Sequence, residues 1–238
     1  MNKNYHLSVI GSIGSLEKYL NSIEGWFQNI QKQTMFRWTE HIIIYTKWHK
    51  IFDKYTHLDN IFFYQETGKG VYNAWNEGIK KSTTKIVTNW NIDDRRYPKA
   101  NEKKYIILKK KSDIGLVYNW LNVTTIENDT IYNPQGMIGM SRRLPPEDIN
   151  WFKKSQCGPD PMWRKELHNI CGYFDGENFP ISADWDMWIA IHNISKLYMI
   201  KEPLCLYYHN PNGVSTSDSS ANILNLEIEK IWEKYAIN

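Results

Sequence analysis

Two adjacent carboxylates, Asp93 and Asp94, follow a short apolar run at 85–90. Paired hard oxygen donors at a strand end suit Mg²⁺ or Mn²⁺, which keep waters and bridge to substrate phosphates. Such an ion neutralises a diphosphate and assists its departure as a Lewis acid. Read alone, an Asp pair is also an ordinary turn. Asp184 and Asp186 flank Trp185 at the start of a helix-like run. One of them is suited to act as general base toward a sugar hydroxyl. The plainer reading is compensation of the helix dipole, with Ser182 as N-cap. Carboxylates two positions apart project to different sides of a helix, so at most one faces a cleft. His209, after the apolar run 204–208, has the chemistry of a third metal ligand or a phosphate contact, and equally of a plain strand-end histidine. Gly68-Lys69-Gly70 opens a helical pattern whose first amides suit a phosphate. Its spacing matches neither a P-loop nor a dinucleotide fingerprint.

The elements that must position these residues follow from hydrophobic periodicity. Strand-like runs at 6–10, 41–46, 61–64, 85–90 and 114–120 alternate with helical patterns at 16–30, 71–81 and 97–110. Gly14-Ser15 offers the turn and cap of the first helix. Alternation of this kind predicts βαβ units and a mostly parallel sheet. Ligands then bind beyond the carboxyl ends of the strands, where Asp93 and Asp94 stand. The second half is more mixed. It predicts loops and short strands over 122–146, helices at 161–167 and 183–192, and short strands at 197–200 and 204–208. A last helix should dock through Leu224, Ile228, Ile231, Trp232 and Tyr235. The fold class is α/β: a single domain with a mostly parallel central sheet flanked by helices, and a smaller mixed second half.

Composition narrows the function classes. Apolar residues make up 42% of the 238-residue chain, enough for a sizeable core. Eleven Trp and fifteen Tyr suit sugar stacking, but burial accounts for most rings in any fold. A net charge of +3 is too mild to indicate a nucleic-acid partner. Lys103, Lys104, Lys109, Lys110 and Lys111 read as the solvated face of a helix, or as weak attraction to an anionic membrane or a phosphorylated acceptor. Cys157, Cys171 and Cys205 form no zinc or disulfide pattern, which fits a reducing, cytoplasmic setting. No signal peptide and no transmembrane run is visible, so membrane contact would be peripheral.

The ordered set is more specific than its parts. Gly70-Val71-Tyr72-Asn73-Ala74-Trp75-Asn76-Glu77-Gly78-Ile79 precedes Lys85-Ile86-Val87, then Asn91-Ile92-Asp93-Asp94 and Tyr97-Pro98. Pro161-Met162-Trp163-Arg164, Gly172-Tyr173-Phe174-Asp175, Ser182 to Trp188 and Tyr207-Tyr208-His209-Asn210-Pro211 follow. Over residues 5–217 this order resembles family-2-type glycosyltransferases with the GT-A fold. The resemblance implies one GT-A-like domain over 1–238, with a nucleotide-sugar-binding half to about 95 and an acceptor-binding half, with the C-terminal helix, after it. It implies a metal-dependent, inverting transfer of one sugar to a glycan, lipid-linked or protein-linked acceptor. Asp94 would be the main ligand of Mn²⁺ or Mg²⁺, with His209 on the metal or diphosphate. Asp93 would assist or hold the donor's ribose or sugar, and Asp184 would be the base. Gly11, Ser12, Gly68, Gly70, Tyr72, Asn73 and Asn76 would border the nucleotide, and Trp163, Arg164 and Asp186 the acceptor. The second strand ends Tyr45-Thr46-Lys47 rather than in the family's usual acidic pair, so UDP-, GDP- and dTDP-linked donors stay open, UDP first. The Gln-x-x-Arg-Trp signature of processive members is absent, which favours single addition. Two other classes remain. A sugar nucleotidyltransferase shares the sheet and paired Asp but releases pyrophosphate. A non-catalytic carbohydrate-binding protein would bind glycan through its rings without nucleotide.

Overall fold

The computed structural model describes residues 4–14 and 16–237. In chain order the elements are β1 (Leu7–Ile13), α1 (Leu16–Gln31), β2 (Thr39–Tyr45), β3 (Ile61–Gln65), α2 (Val71–Lys81) and β4 (Ile86–Asn89). Then come β5 (Arg95–Arg96), α3 (Ala100–Lys110), β6 (Ile114–Thr124), β7 (Met137–Ser141), β8 (Met162–Arg164), α4 (His168–Cys171), α5 (Ala183–Ile194), β9 (Lys196–Tyr208) and α6 (Ala221–Tyr235). The described strands form one sheet in the order β3-β2-β1-β4-β8-β6-β9-β5, with β7 hung on β6. Strands β1 to β4 are mutually parallel, and β6 runs parallel to β9. Strands β5, β7 and β8 are antiparallel to their neighbours. This is the expected α/β domain with a mostly parallel sheet.

The sheet is buried on both faces, and the sequence shows why. In β2, Ile42 and Ile44 enter the core under α2 and α5, while Ile43 enters the core under α1. A strand covered on both sides needs such an unbroken apolar run. Helix α1 turns Ile23, Trp26, Phe27 and Ile30 onto the sheet. Leu20, expected in the same stripe, is exposed, and the expected cap Ser15 lies outside the described residues. Seven of the eleven Trp are buried, so most rings serve the core.

Four expectations are corrected. Residues 161–167 are strand β8 and a short 3₁₀ turn, not a helix. Trp163 pairs with Val87 on one side and Leu116 on the other, and this two-sided pairing outweighs local preference. The runs 197–200 and 204–208 are one thirteen-residue strand, β9. Register shifts around Trp120, which faces Pro203, let the strand pass the proline. The lysine cluster is not a uniform solvated face. Lys104 is fully buried and its ammonium lies 2.7 Å from Asp160 Oδ2. Finally, α6 docks with Ile231 and Glu227 buried, while Trp232 stays exposed. Among the described residues all three cysteines are free, and no helix is long and apolar enough to cross a membrane.

Candidate active site

Strand order reverses between β1 and β4, because β1 connects onward to β2 on its other side. The crevice beyond the carboxyl ends of these two strands is the topological switch point. The chain leaving β4 at Asn89 fills it with the turn 90–94. Trp90 is buried; its backbone amide donates to Ile10 O and its indole Nε1 to Asp94 O, 3.2 Å. Arg95 and Arg96 grip the turn from beneath. Arg95 donates to the carbonyls of Ile92 and Asp94, both at 2.8 Å, and to Ser22 O and Asn128 Oδ1. Arg96 donates to Asn89 O, Thr88 Oγ1 and Asn101 Oδ1. Arg96 and Lys104 both sit against Asp160. The clamp presses close on α1, where a Cβ at Gly25 would collide with Asn128 and Arg95. Asn128 itself is left-handed, at φ 58°, a conformation asparagine tolerates better than most residues.

The two carboxylates of the turn differ. Asp94 is buried; its Oδ1 accepts the Tyr208 N–H at 3.0 Å and its Oδ2 the Asn91 amide at 3.2 Å. Burial first, and then the charge of Asp93, push its pKa well above the ordinary carboxylate value, against those two hydrogen bonds. Asp93 is half-buried and is the more open of the pair. His209 follows the residue whose amide caps Asp94. It is exposed, and its backbone N–H donates to Thr124 O. Among the described residues no three His, Cys, Asp or Glu side chains converge as a metal cage. The donor set present, two neighbouring carboxylates of which the buried Asp94 is pushed up in pKa by burial and by the charge of Asp93, still fits an Mg²⁺ or Mn²⁺ ion that completes its shell with water and phosphate.

Asp184 stands in the first turn of α5, half-buried, with Tyr72 OH donating to its Oδ1 at 3.0 Å. The same hydroxyl lies 2.6 Å from Ile181 O. Burial raises the Asp184 pKa to about 6, opposed by the Tyr72 hydrogen bond and nearby backbone amides, with the charge of Glu227 adding to the rise. Such a group is ionised at pH 7 yet basic enough to accept a proton. Asp186 points the other way, as expected for its spacing. It is buried and takes Lys234 Nζ at 2.7 Å and Tyr235 OH at 3.0 Å. It therefore anchors α6. Ser182 does not cap α5. Its hydroxyl and amide, with the amide of Ile181, all donate to Glu227, a buried carboxylate on α6.

Several other expected ligand residues are engaged within the fold. Gly11 is packed under Trp26, whose ring would clash with any Cβ there. Ser12, the next residue of β1, is half-buried beside Ile44. Thr67 and Gly68 donate their amides to Glu77, which also takes Asn73 Nδ2, so these amides are not open to phosphate. Gly70 has φ 92°, a conformation that requires glycine at the mouth of α2. Asn76 exchanges two hydrogen bonds with the backbone of Phe174. Trp163 has no exposed surface and donates to His168 Nε2. Arg164 ties down the carbonyls of Leu108, Lys111 and Ile114. Trp163 is buried, and Arg164 and Asn76, both half-buried, spend these polar groups on the scaffold.

The sequence reading missed Glu66, Glu227 and Arg95. Glu66 follows β3; burial and Glu77 raise its pKa, and its Oε1 is buried without a partner. Its position after a strand was the available signal. Among the described grooves, one of about 550 Å³ runs along α1 past Asn21, Glu24 and Gln28 to Glu127, beside the acidic turn rather than over it.

No protein-family model and no curated relative matches the sequence. The likeness is three-dimensional. The structure of S. aureus TarS 1-349 in complex with UDP-GlcNAc superposes with a TM-score of 0.69 at 14% identity, over 95% of this chain and 66% of that one. The fold is that of glycosyltransferase structures. The mannosyltransferase PcManGT from Pyrobaculum calidifontis, in complex with GDP-Man and Mn²⁺, gives 0.60 at 15% identity over 89% of this chain and 59% of that one. S. aureus TarS 1-349 with UDP gives 0.66 at 16% over 87% and 61%. The chain spans about three fifths of the length of these structures.

Proposed function

We propose that the chain is a glycosyltransferase that moves one sugar from a nucleotide-sugar donor to a carbohydrate-containing acceptor, with inversion in a single displacement. The observation that carries the reading is the pairing of two unlike acidic groups on this fold. One is the Asp93-Asp94 turn at the switch point. The other is Asp184, held ready by Tyr72 with a pKa near 6. Asp184 accepts the proton of the acceptor hydroxyl as its oxygen attacks the anomeric carbon. The bond from that carbon to the nucleoside diphosphate breaks on the opposite side, and the diphosphate leaves with the electron pair. Asp93 and Asp94 would hold Mn²⁺ or Mg²⁺, with His209 beside them. When bound, the ion supplies charge neutralisation to the departing diphosphate. The division near residue 95 would separate donor-binding from acceptor-binding elements. Likeness to proteins solved with UDP, UDP-GlcNAc and GDP-Man keeps both uridine and guanosine donors in view.

Calorimetric titration of UDP, GDP and dTDP, each with and without Mn²⁺, tests the reading. One nucleotide should bind, and more tightly with the metal. Failure of all three under both conditions would remove the donor site and with it the function.

A further inference from the structure

The C-terminal helix meets the domain through little apolar surface. Along α6, Ile231 and Glu227 are buried, while Ile223, Leu226 and Trp232 are exposed. Three of its polar side chains reach one segment. Glu227 accepts the N–H of Ile181 at 3.2 Å, the N–H of Ser182 at 2.8 Å and the Ser182 hydroxyl. Lys234 and Tyr235 both donate to Asp186. The helix thus grips the chain at 181–182 and at 186, on either side of Asp184.

A buried carboxylate is costly unless donors meet it, and an apolar residue would avoid the cost. What Glu227 does to the start of α5 accounts for its presence. Ser182 holds the N-cap position, where a serine oxygen ordinarily accepts the second or third N–H of the helix. Here it caps nothing, because its hydroxyl is turned to Glu227. The N–H groups it forgoes are those of Asp184 and Trp185, and both favour the charged form of the Asp184 carboxyl. A second path runs through the peptide group that joins Ile181 to Ser182. Glu227 holds its N–H, and its carbonyl accepts the Tyr72 hydroxyl at 2.6 Å. That hydroxyl also lies 3.0 Å from Asp184 Oδ1. Two chains of contacts therefore lead from Glu227 to Asp184.

We propose that Glu227 is a positioning residue for Asp184: by holding the Ser182 hydroxyl away from the cap position, it leaves the first N–H groups of α5 to the Asp184 carboxylate and fixes that carboxylate's bearing. This rests on the transferase reading only in naming Asp184 the base. The arrangement itself is tested without it.

The test compares wild type, Glu227→Ala and the double variant Ser182→Ala/Glu227→Ala. The first readout is the Trp185 amide proton, followed by NMR through the titration of Asp184 at about pH 6. Asp184→Asn identifies that titration by abolishing it. In wild type the amide should shift with Asp184. In Glu227→Ala the freed Ser182 hydroxyl should cap α5, and the shift should vanish. Deleting that hydroxyl in the double variant should bring it back. A shift that persists in Glu227→Ala, or is lost and does not return, overturns the proposal. The second readout is release of nucleoside diphosphate from UDP-GlcNAc or GDP-Man with water as acceptor. In Glu227→Ala, kcat should fall about 10- to 100-fold with KM unchanged, and it should recover in the double variant. Loss of kcat and nucleotide affinity together, without recovery, marks a merely structural role and refutes the assignment. Should the Glu227→Ala variants not fold, the wild-type amide decides: movement with Asp184 supports the arrangement, and indifference refutes it. Turnover of neither donor by wild type, with the amide behaving as stated, would remove the transferase reading and leave the arrangement standing.

Discussion

Replacing Asp184 with Asn should make the protein more stable and less active at once. The Asp184 carboxyl is raised from 3.8 to about 6. Two pKa units correspond to about 2.7 kcal/mol of penalty for keeping the group ionised. The side chain is only half-buried, so solvent screens part of this, and a gain of about 1–2 kcal/mol is expected. Asn keeps an oxygen for the Tyr72 hydroxyl. For a chain of this size the gain raises the melting temperature by about 2–8 °C. The pH dependence follows from linkage. Between about pH 4 and 6 the folded state retains a proton that the unfolded chain has released, so wild-type stability falls as pH rises through that window. The advantage of Asp184→Asn should therefore be full above pH 6 and vanish near pH 4. Donor binding should persist while transfer drops about 10²- to 10⁴-fold. Melting curves at pH 4, 5, 6 and 7.5, run beside a transfer assay, measure both effects. A variant that is no more stable at pH 7.5, or equally favoured at pH 4, refutes the reasoning that Asp184 is held ionised against its surroundings.

The neighbours of Asp184 should move the acid limb of the transfer rate in opposite directions. Tyr72→Phe removes a hydrogen bond that favours the carboxylate and should shift the limb to higher pH, whereas Glu227→Gln removes a like charge and should shift it lower; parallel shifts would contradict the assignment of the limb to Asp184. Lys104→Ala leaves Asp160 buried without its ammonium and should destabilise the fold by about 3–5 kcal/mol in urea titration. A loss under 1 kcal/mol would mean that Arg96 alone compensates Asp160.

What the sequence disclosed was local. The triple Ile of β2 and the Val71–Lys81 helix are written in short-range pattern, and the structure reproduces both. The opposite bearings of Asp184 and Asp186 followed from helix geometry alone. Strand β8 was illegible because three residues carry no period, and its identity comes from partners 76 and 47 residues away, Val87 and Leu116. Lys104 read as solvated because its burial depends on Asp160, 56 residues further on. Glu227 carries no local signal on the last helix, yet it closes the N-terminus of α5 from 45 residues away. Polar residues bound to distant partners leave no periodic trace, and the scaffold of this site is built largely from them.

The buried acids can nonetheless be sorted by how their charge is met. Asp160 and Asp186 have cations. Glu227 and Glu40 gather hydroxyl and amide donors, Ser182 for one and Ser8 and Thr83 for the other. Asp129 is penalised by burial, but the Thr124 hydroxyl and three backbone amides outweigh that and lower its pKa. Against these stand Asp94, Asp184 and Glu66, the carboxylates that the described structure pushes upward. Asp94 follows β4 at the crevice that the sheet topology assigns to a ligand, Asp184 opens α5, and Glu66 follows β3. In these three the cost of burial and of neighbouring like charge outweighs the hydrogen bonds supplied, and groups perturbed in this way cluster at functional sites. A cation at the acidic turn and a proton arriving on Asp184 are the two events that would relieve that cost, and both belong to the transfer proposed for this site.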